Sequence, residues 1–239
     1  MAQLSEYQTE IIGISAEVAI ADTYRVTISD GYRSRGNENI VRATAEIVNE
    51  TFDRKKIPIP VQHVAEGQNP IDFILANGET LSVKTNQREL GKIAPQRVGQ
   101  VSSKTYFNYF SEYYKEVPAS YEERCRLFKT EVFKRIDTFT GIYWENLFDC
   151  DFYIHFYDYI NRSNSVVVPK CIVLTKRDTP NFDYKKFSFT RKLNDWNESN
   201  TVKYCGLTIG EFQVHNHRDN FKFRFNMKGI YQLIMQGVL

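Results

Sequence analysis

Asn69-Pro-Ile-Asp-Phe-Ile-Leu-Ala-Asn-Gly-Glu-Thr-Leu-Ser-Val-Lys-Thr85 reads as a β-hairpin that brings a carboxylate and an amine together. Pro70–Leu75 alternates into one strand, Ala76-Asn77-Gly78-Glu79 is a turn of the Asn-Gly type, and Leu81–Thr85 is the returning strand. This pairing is expected to set Asp72 and Lys84 across from each other near the open end. An aspartate and a lysine so placed are equipped to hold a divalent metal and to act on an attacking water.

The spacing resembles the signature of the PD-(D/E)XK nuclease superfamily, which is a Pro-Asp, a gap of variable length, then an acidic residue, any residue and Lys. Here Ile71 splits the Pro-Asp pair, and Ser82-Val83-Lys84 stands where the acidic-any-Lys triplet should be. Serine brings a hydroxyl and no charge, so another carboxylate or the Val83 carbonyl has to complete a metal shell. The resemblance implies catalytic roles for Asp72, Ser82 and Lys84, and metal ligation by Asp72, Val83 and Glu38 with Mg2+ as the cofactor. It also implies an α/β (α+β) fold whose mixed central β-sheet is flanked by helices, a restriction endonuclease-like core. A type II restriction endonuclease of this kind cuts double-stranded DNA at a specific sequence, and works as a homodimer because its sites are palindromes.

Upstream, Gly31–Phe52 carries Val41, Ala45, Val48 and Phe52 at helical spacing, with Asn37 as the N-cap. Glu38 is expected on the same stripe, one turn before Val41. A carboxylate on the core side of a helix is costly unless paired or bound to a metal, and nucleases of this superfamily often add a glutamate from the helix before the motif hairpin. Glu38 has a second reading, a charge that suits the helix dipole in the first turn. Glu46 and Glu50 read as solvated, and Glu66 is a further candidate ligand.

Downstream, Thr85–Gln100 is polar, amide-rich and basic, with too few apolar residues for a core element. Gln87, Arg88, Lys92, Gln96, Arg97 and Gln100 are side-chain types that read base edges and hold phosphates. The segment is either a solvated loop or a DNA-facing one, and its place just beyond Lys84 favours the second.

The 239 residues can bury a full core, and are read as one nuclease domain: a mainly helical part over 1–60, the hairpin and DNA-facing segment over 61–110, and a helix plus β-rich remainder over 111–239. Thirty-one basic against 29 acidic residues give +2, so affinity for nucleic acid has to come from a local patch. Cysteines at 125, 150, 171 and 205 form no Cys-x-x-Cys pair, which argues against a zinc ribbon or a disulfide framework and fits a reducing cytoplasm. No apolar run reaches membrane-spanning length, the N-terminus has no basic start or apolar h-region, and no motif for an organic cofactor is present.

Further elements follow from local pattern. A helix is expected over roughly 4–20, and Ser120-Tyr-Glu-Glu123 is a capping box opening a helix with Phe128, Val132 and Ile136 on one side. From Gly141 the chain reads as aromatic and β-rich, with strands expected in 152–157, 166–168, 171–175, 186–190, 202–205, 208–215 and 221–226. In the last of these Phe221, Phe223 and Phe225 share one face while Lys222, Arg224 and Asn226 share the other. That basic face suits a strand lying along DNA and equally an ordinary solvated one. His215-Asn216-His217 and Gly141-Ile142-Tyr143 spell parts of the HNH and GIY-YIG signatures without the spacing either family needs. Two other readings stay open: a repair or recombination nuclease of the same superfamily, and a catalytically silent DNA-binding module marked by Ser82.

Overall fold

The computed structural model describes residues 9–65, 69–215 and 218–239. In chain order these form α1 (Thr9–Tyr24), α2 (Asp30–Arg33), α3 (Glu38–Lys55), β1 (Pro60–His63), β2 (Phe73–Leu75), β3 (Thr80–Thr85), β4 (Lys92–Ile93), β5 (Gln100–Val101), α4 (Ser103–Tyr109), α5 (Tyr121–Lys134) and α6 (Ile136–Leu147). They continue with β6 (Phe152–Tyr157), β7 (Lys170–Thr175), β8 (Phe187–Phe189), β9 (Ser199–Tyr204), β10 (Leu207–Val214), β11 (Phe221–Asn226) and α7 (Met227–Met235). The chain divides into two compact units, one of residues up to Leu90 with Phe148–Arg177, the other of Gly91–Leu147 with Asp178–Leu239.

The first unit is built on a sheet of order β1-β2-β3-β6-β7, in which β3 and β6 are parallel and the remaining pairs antiparallel. Its helix α1 is apolar almost all round, and Ile12, Ile14, Ala16 and Val18–Ala21 are all buried. A helix of that kind belongs inside, and α1 lies between α3 and the strands β1 and β3. Residues 4–8 of the expected span lie outside the described residues, and α1 runs on past residue 20 to Tyr24. Asn37 caps α3 as expected, its side chain accepting from the Asn39 and Ile40 amides. The stripe of α3 includes Ile40, Val41, Val48 and Phe52, packed with α1 into one cluster.

The hairpin forms, with a register that differs from the expected one. Gly78 supplies a positive φ of 86° in the turn, and Phe73 pairs with Leu81 and Ile74 with Thr80. Extended one step, that register sets Asp72 against Ser82, and Lys84 is its diagonal neighbour. The turn is three residues long, Ala76-Asn77-Gly78, closed by Leu75 donating to the Glu79 carbonyl, and this shorter turn decides the difference.

The second unit holds the other sheet, ordered β4-β11-β10-β9-β8, with β5 also pairing β11. A single mixed central sheet is the expectation from sequence; the first unit's sheet is mixed and takes in β6 and β7, while β8–β11 pair among themselves in a second sheet. Antiparallel pairing across β9 and β10 is closed by Cys205 and Gly206, both at positive φ, in the manner of the tight hairpin turns. The segment after Lys84 also departs from expectation, because Lys92–Ile93 and Gln100–Val101 add to β11, and Ile93, Val98 and Gly99 are buried.

The alternation of β11 is as read, with Phe221, Phe223 and Phe225 buried and Lys222, Arg224 and Asn226 half-buried. Phe128 of α5 stacks on Phe221 at 4.3 Å and Tyr143 of α6 on Phe223 at 4.3 Å, so the aromatic run is sheet core. Ser120 caps α5, although Ile136 falls outside it, at the start of α6. Gly141 therefore sits in a helix, and strand structure resumes only at Phe152. Residues 166–168 make a single bridge rather than a strand. His215 follows β10, while Asn216 and His217 lie outside the described residues.

Asn226 ends β11 and caps α7, accepting from the Gly229 amide. A Cβ at Gly229 would come within 1.9 Å of the Thr208 carbonyl oxygen. Alanine is ordinarily the better helix residue by about 1 kcal/mol. Here Gly229→Ala is expected to lower stability instead, by about 1–3 kcal/mol, read as a fall in the urea midpoint at unchanged m.

Candidate active site

The residues singled out on the hairpin are brought together in the first unit. Asp72 is 4% exposed and Ser82 2%, and the Lys84 side chain is 16% exposed. Asp72 Oδ2 accepts from the Val83 amide at 2.5 Å and lies 3.3 Å from Ser82 Oγ and 3.5 Å from Lys84 Nζ. Lys84 Nζ donates to Ser82 Oγ at 2.7 Å and to the Val83 carbonyl at 3.1 Å. Ser82 thus acts as a strut that holds the ammonium, and is itself tied to the Pro70 carbonyl at 3.1 Å.

Glu38 is expected on the buried stripe as a further carboxylate, and the structure places it off that stripe. Glu38 is exposed in the first turn of α3, where the Asn37 cap turns the chain outward before the buried stripe begins at Ile40. Glu66 lies outside the described residues. Glu17 of α1 takes the buried position instead. It is 7% exposed, and its Oε2 accepts from the Tyr32 hydroxyl at 2.7 Å and meets His63 Nε2 at 2.8 Å. A signal was present in the sequence, since Glu17 is the only charged residue in the run Ile11–Ala21.

Burial pushes the Glu17 carboxyl above its ordinary pKa, and the neighbouring Asp72 pushes it further, against the pull of His63 and Tyr32. Two carboxylates therefore lie close enough to repel in a poorly hydrated place. The hydrogen bonds found on them among the described residues land on one oxygen of each, Asp72 Oδ2 and Glu17 Oε2, leaving Oδ1 and Oε1 available. One or two carboxylates with water is the usual protein share of a Mg2+ site. Among the described residues no three His, Cys, Asp or Glu side chains gather into a fuller metal cage. The pair suits an oxygen-seeking divalent ion that keeps much of its water, and does not suit a zinc-type site. Burial pushes the nearby Cys150 thiol up to about 12, opposed by Lys84, so it stays protonated at neutral pH and offers no thiolate nucleophile.

The residues singled out after Lys84 fall in both units. Gln87 and Arg88 belong to the first, where Arg88 donates to Asn164 Oδ1 at 3.0 Å. Lys92, Gln96, Arg97 and Gln100 belong to the second, all exposed, and Lys92 pairs with Glu211 at 2.6 Å.

On β6 beside Lys84, His155 is fully buried with Nε2 2.8 Å from Asn86 Oδ1. Burial, and then Lys84, lower its pKa from 6.5 to about 3. The unfolded chain takes up a proton in that interval and the folded one does not, so stability is present above 6.5 and is lost as pH falls toward 3. Such a group contributes a slope of at most about 1.4 kcal/mol per pH unit. Glu17, raised above 4.5, contributes the opposite sign where its own unfolded and folded values bracket the pH. His155→Gln is accordingly expected to show a flatter acid limb than wild type in urea denaturation, and equal limbs would refute the assignment.

The chain is 31% identical over 171 residues to the type II restriction enzyme CviAII of Paramecium bursaria Chlorella virus 1. The match takes in 72% of this chain and 46% of that enzyme, so the chain spans about half the length of the relative it matches. No family model matches, and no solved structure does. No helix among the described residues is long and apolar enough to cross a membrane. The likeness to CviAII supports a relationship to the restriction endonucleases.

Proposed function

We propose that this protein is a Mg2+-dependent, sequence-specific endonuclease of the PD-(D/E)XK type, hydrolysing phosphodiester bonds of double-stranded DNA in the manner of a type II restriction enzyme. The observation that carries the reading is the buried pair Asp72 and Glu17, with the half-buried Lys84 on Asp72, in which the hydrogen bonds among the described residues meet only one oxygen of each carboxylate. CviAII supports it from outside the structure.

In this reading Asp72 and Glu17 would hold the cation, in place of the Glu38 expected from sequence. When bound, Mg2+ neutralises charge on the phosphodiester as a Lewis acid. Lys84 carries its ammonium where it orients an attacking water and favours loss of that water's proton. Ser82 is a positioning residue that keeps Nζ beside Asp72, and the Val83 amide fixes the Asp72 carboxylate from behind. Tyr32 and His63 hold the Glu17 carboxylate in one orientation. A two-fold dimer goes with the reading, since cutting both strands of a palindrome calls for two such clusters.

The test is digestion of unmethylated phage DNA by the purified protein with Mg2+, beside Asp72→Asn, Glu17→Gln and Lys84→Ala. Wild type is expected to yield discrete bands, and Lys84→Ala to slow cleavage by roughly 10²–10⁴-fold. Both carboxylate variants are expected to lose activity and to need more Mg2+. A smear lost in the same variants would favour a repair-type nuclease. DNA left intact by a folded protein that still retards it would favour a silent binding module.

A further inference from the structure

The polar side of the second unit's sheet has a composition that its fold does not require. Pair register sets Lys222 beside Gln213 and Gln100, Arg224 beside Glu211, Asn226 beside Lys92, and Lys203 beside Thr208 and Ser188. The phenylalanines of β11 take the opposite side, under α5 and α6. Lys92, Lys203, Lys222 and Arg224 thus share one face with a single carboxylate, Glu211.

That carboxylate is fully engaged. Lys92 Nζ lies 2.6 Å from Glu211 Oε2, while Arg224 Nη2 and Gln213 Nε2 reach Oε1 at 3.0 and 2.5 Å. Burial raises the Glu211 pKa while Lys92 and Arg224 lower it, with a net lowering. The positive charge remains in excess all the same. Lys222 is held below its ordinary pKa by burial and then by Arg224, with Glu211 opposing. Arg224 Nε is buried with no acceptor among the described residues, a donor left over from an arrangement that satisfies the other side of the guanidinium.

We propose that this face is where the protein holds the phosphate backbone of duplex DNA, with Glu211 serving as the built-in anion that keeps Lys92 and Arg224 extended until phosphates take its place. This rests on the reading of the chain as a DNA endonuclease, and assigns a backbone-holding surface to the unit that lacks the Asp72 cluster. Gln213 and Gln100, beside Lys222 on the same face, are amides of the kind that read base edges once the backbone is seated.

The experiment is fluorescence anisotropy with a labelled pool of random-sequence duplexes, in chelator so that nothing is cut, over a salt series. Lys203→Ala and Lys222→Ala are each expected to weaken binding and to reduce the slope of log affinity against log salt by about 0.9, one phosphate contact's worth. Glu211→Gln is expected to tighten binding, the opposite of what loss of a merely structural ion pair would do. Lys104→Ala, on α4 under the apolar side, is the control and is expected to match wild type. Unchanged slopes in both lysine variants, or weaker binding by a folded Glu211→Gln, would overturn the proposal. Parallel Mg2+ digestion keeps the two readings apart. A wild type that cuts while the lysine variants bind as well as it does refutes the face alone, and a protein that binds through this face yet never cuts refutes the nuclease alone.

Discussion

The first unit holds a repulsion between two buried carboxylates in place. Glu17 and Asp72 are both buried, and Asp72 raises the Glu17 pKa rather than relieving it. Like charges taken out of water are costly unless something answers them. Lys84 answers Asp72 at 3.5 Å, and His63 and Tyr32 answer Glu17. Among the described residues these partners meet one oxygen of each carboxylate, Asp72 Oδ2 and Glu17 Oε2. Packed apolar residues often stabilise such a place at least as well, so stability alone does not account for these charges.

Precision at that place comes from the strands and from α1. Strand β3 is central, antiparallel to β2 and parallel to β6, so its backbone is held on both sides. Ser82 and Lys84, two residues apart, project to the same side as Asp72. Helix α1 is buried on nearly every side, which fixes Glu17 against rotation. His155 fills the neighbouring strand position as a neutral ring tied to Asn86, and adds no competing charge beside Lys84. Groups set on such elements are positioned better than groups on loops.

The second unit solves a different problem with one strand. Its aromatic side supplies a core in which Phe221, Phe223 and Phe225 meet α5 and α6. The other side carries charge and amides, which a sheet needing only solvation would mix more evenly in sign. Glu211 gathers Lys92, Arg224 and Gln213 there into one network.

Local pattern in the sequence by itself determined much of this. The Asn-Gly turn, the Asn37 and Ser120 caps and the two-residue alternation of β11 follow from short-range chemistry, and the structure has each of them. Asp72, Ser82 and Lys84 come from one hairpin, so their proximity needed little beyond local pairing. Only the tertiary structure decided the rest, because it turns on which distant segments meet. Glu17 and Asp72 are far apart in sequence, and their approach depends on α1 crossing β3 rather than on either residue's neighbours. Glu38 has the right spacing for a buried stripe and is exposed, since the first turn of a capped helix faces out before its core side engages. Polar Lys92 and Gln100 became strand residues because β11 offered open backbone groups on that edge, a condition set by long-range pairing and absent from local composition.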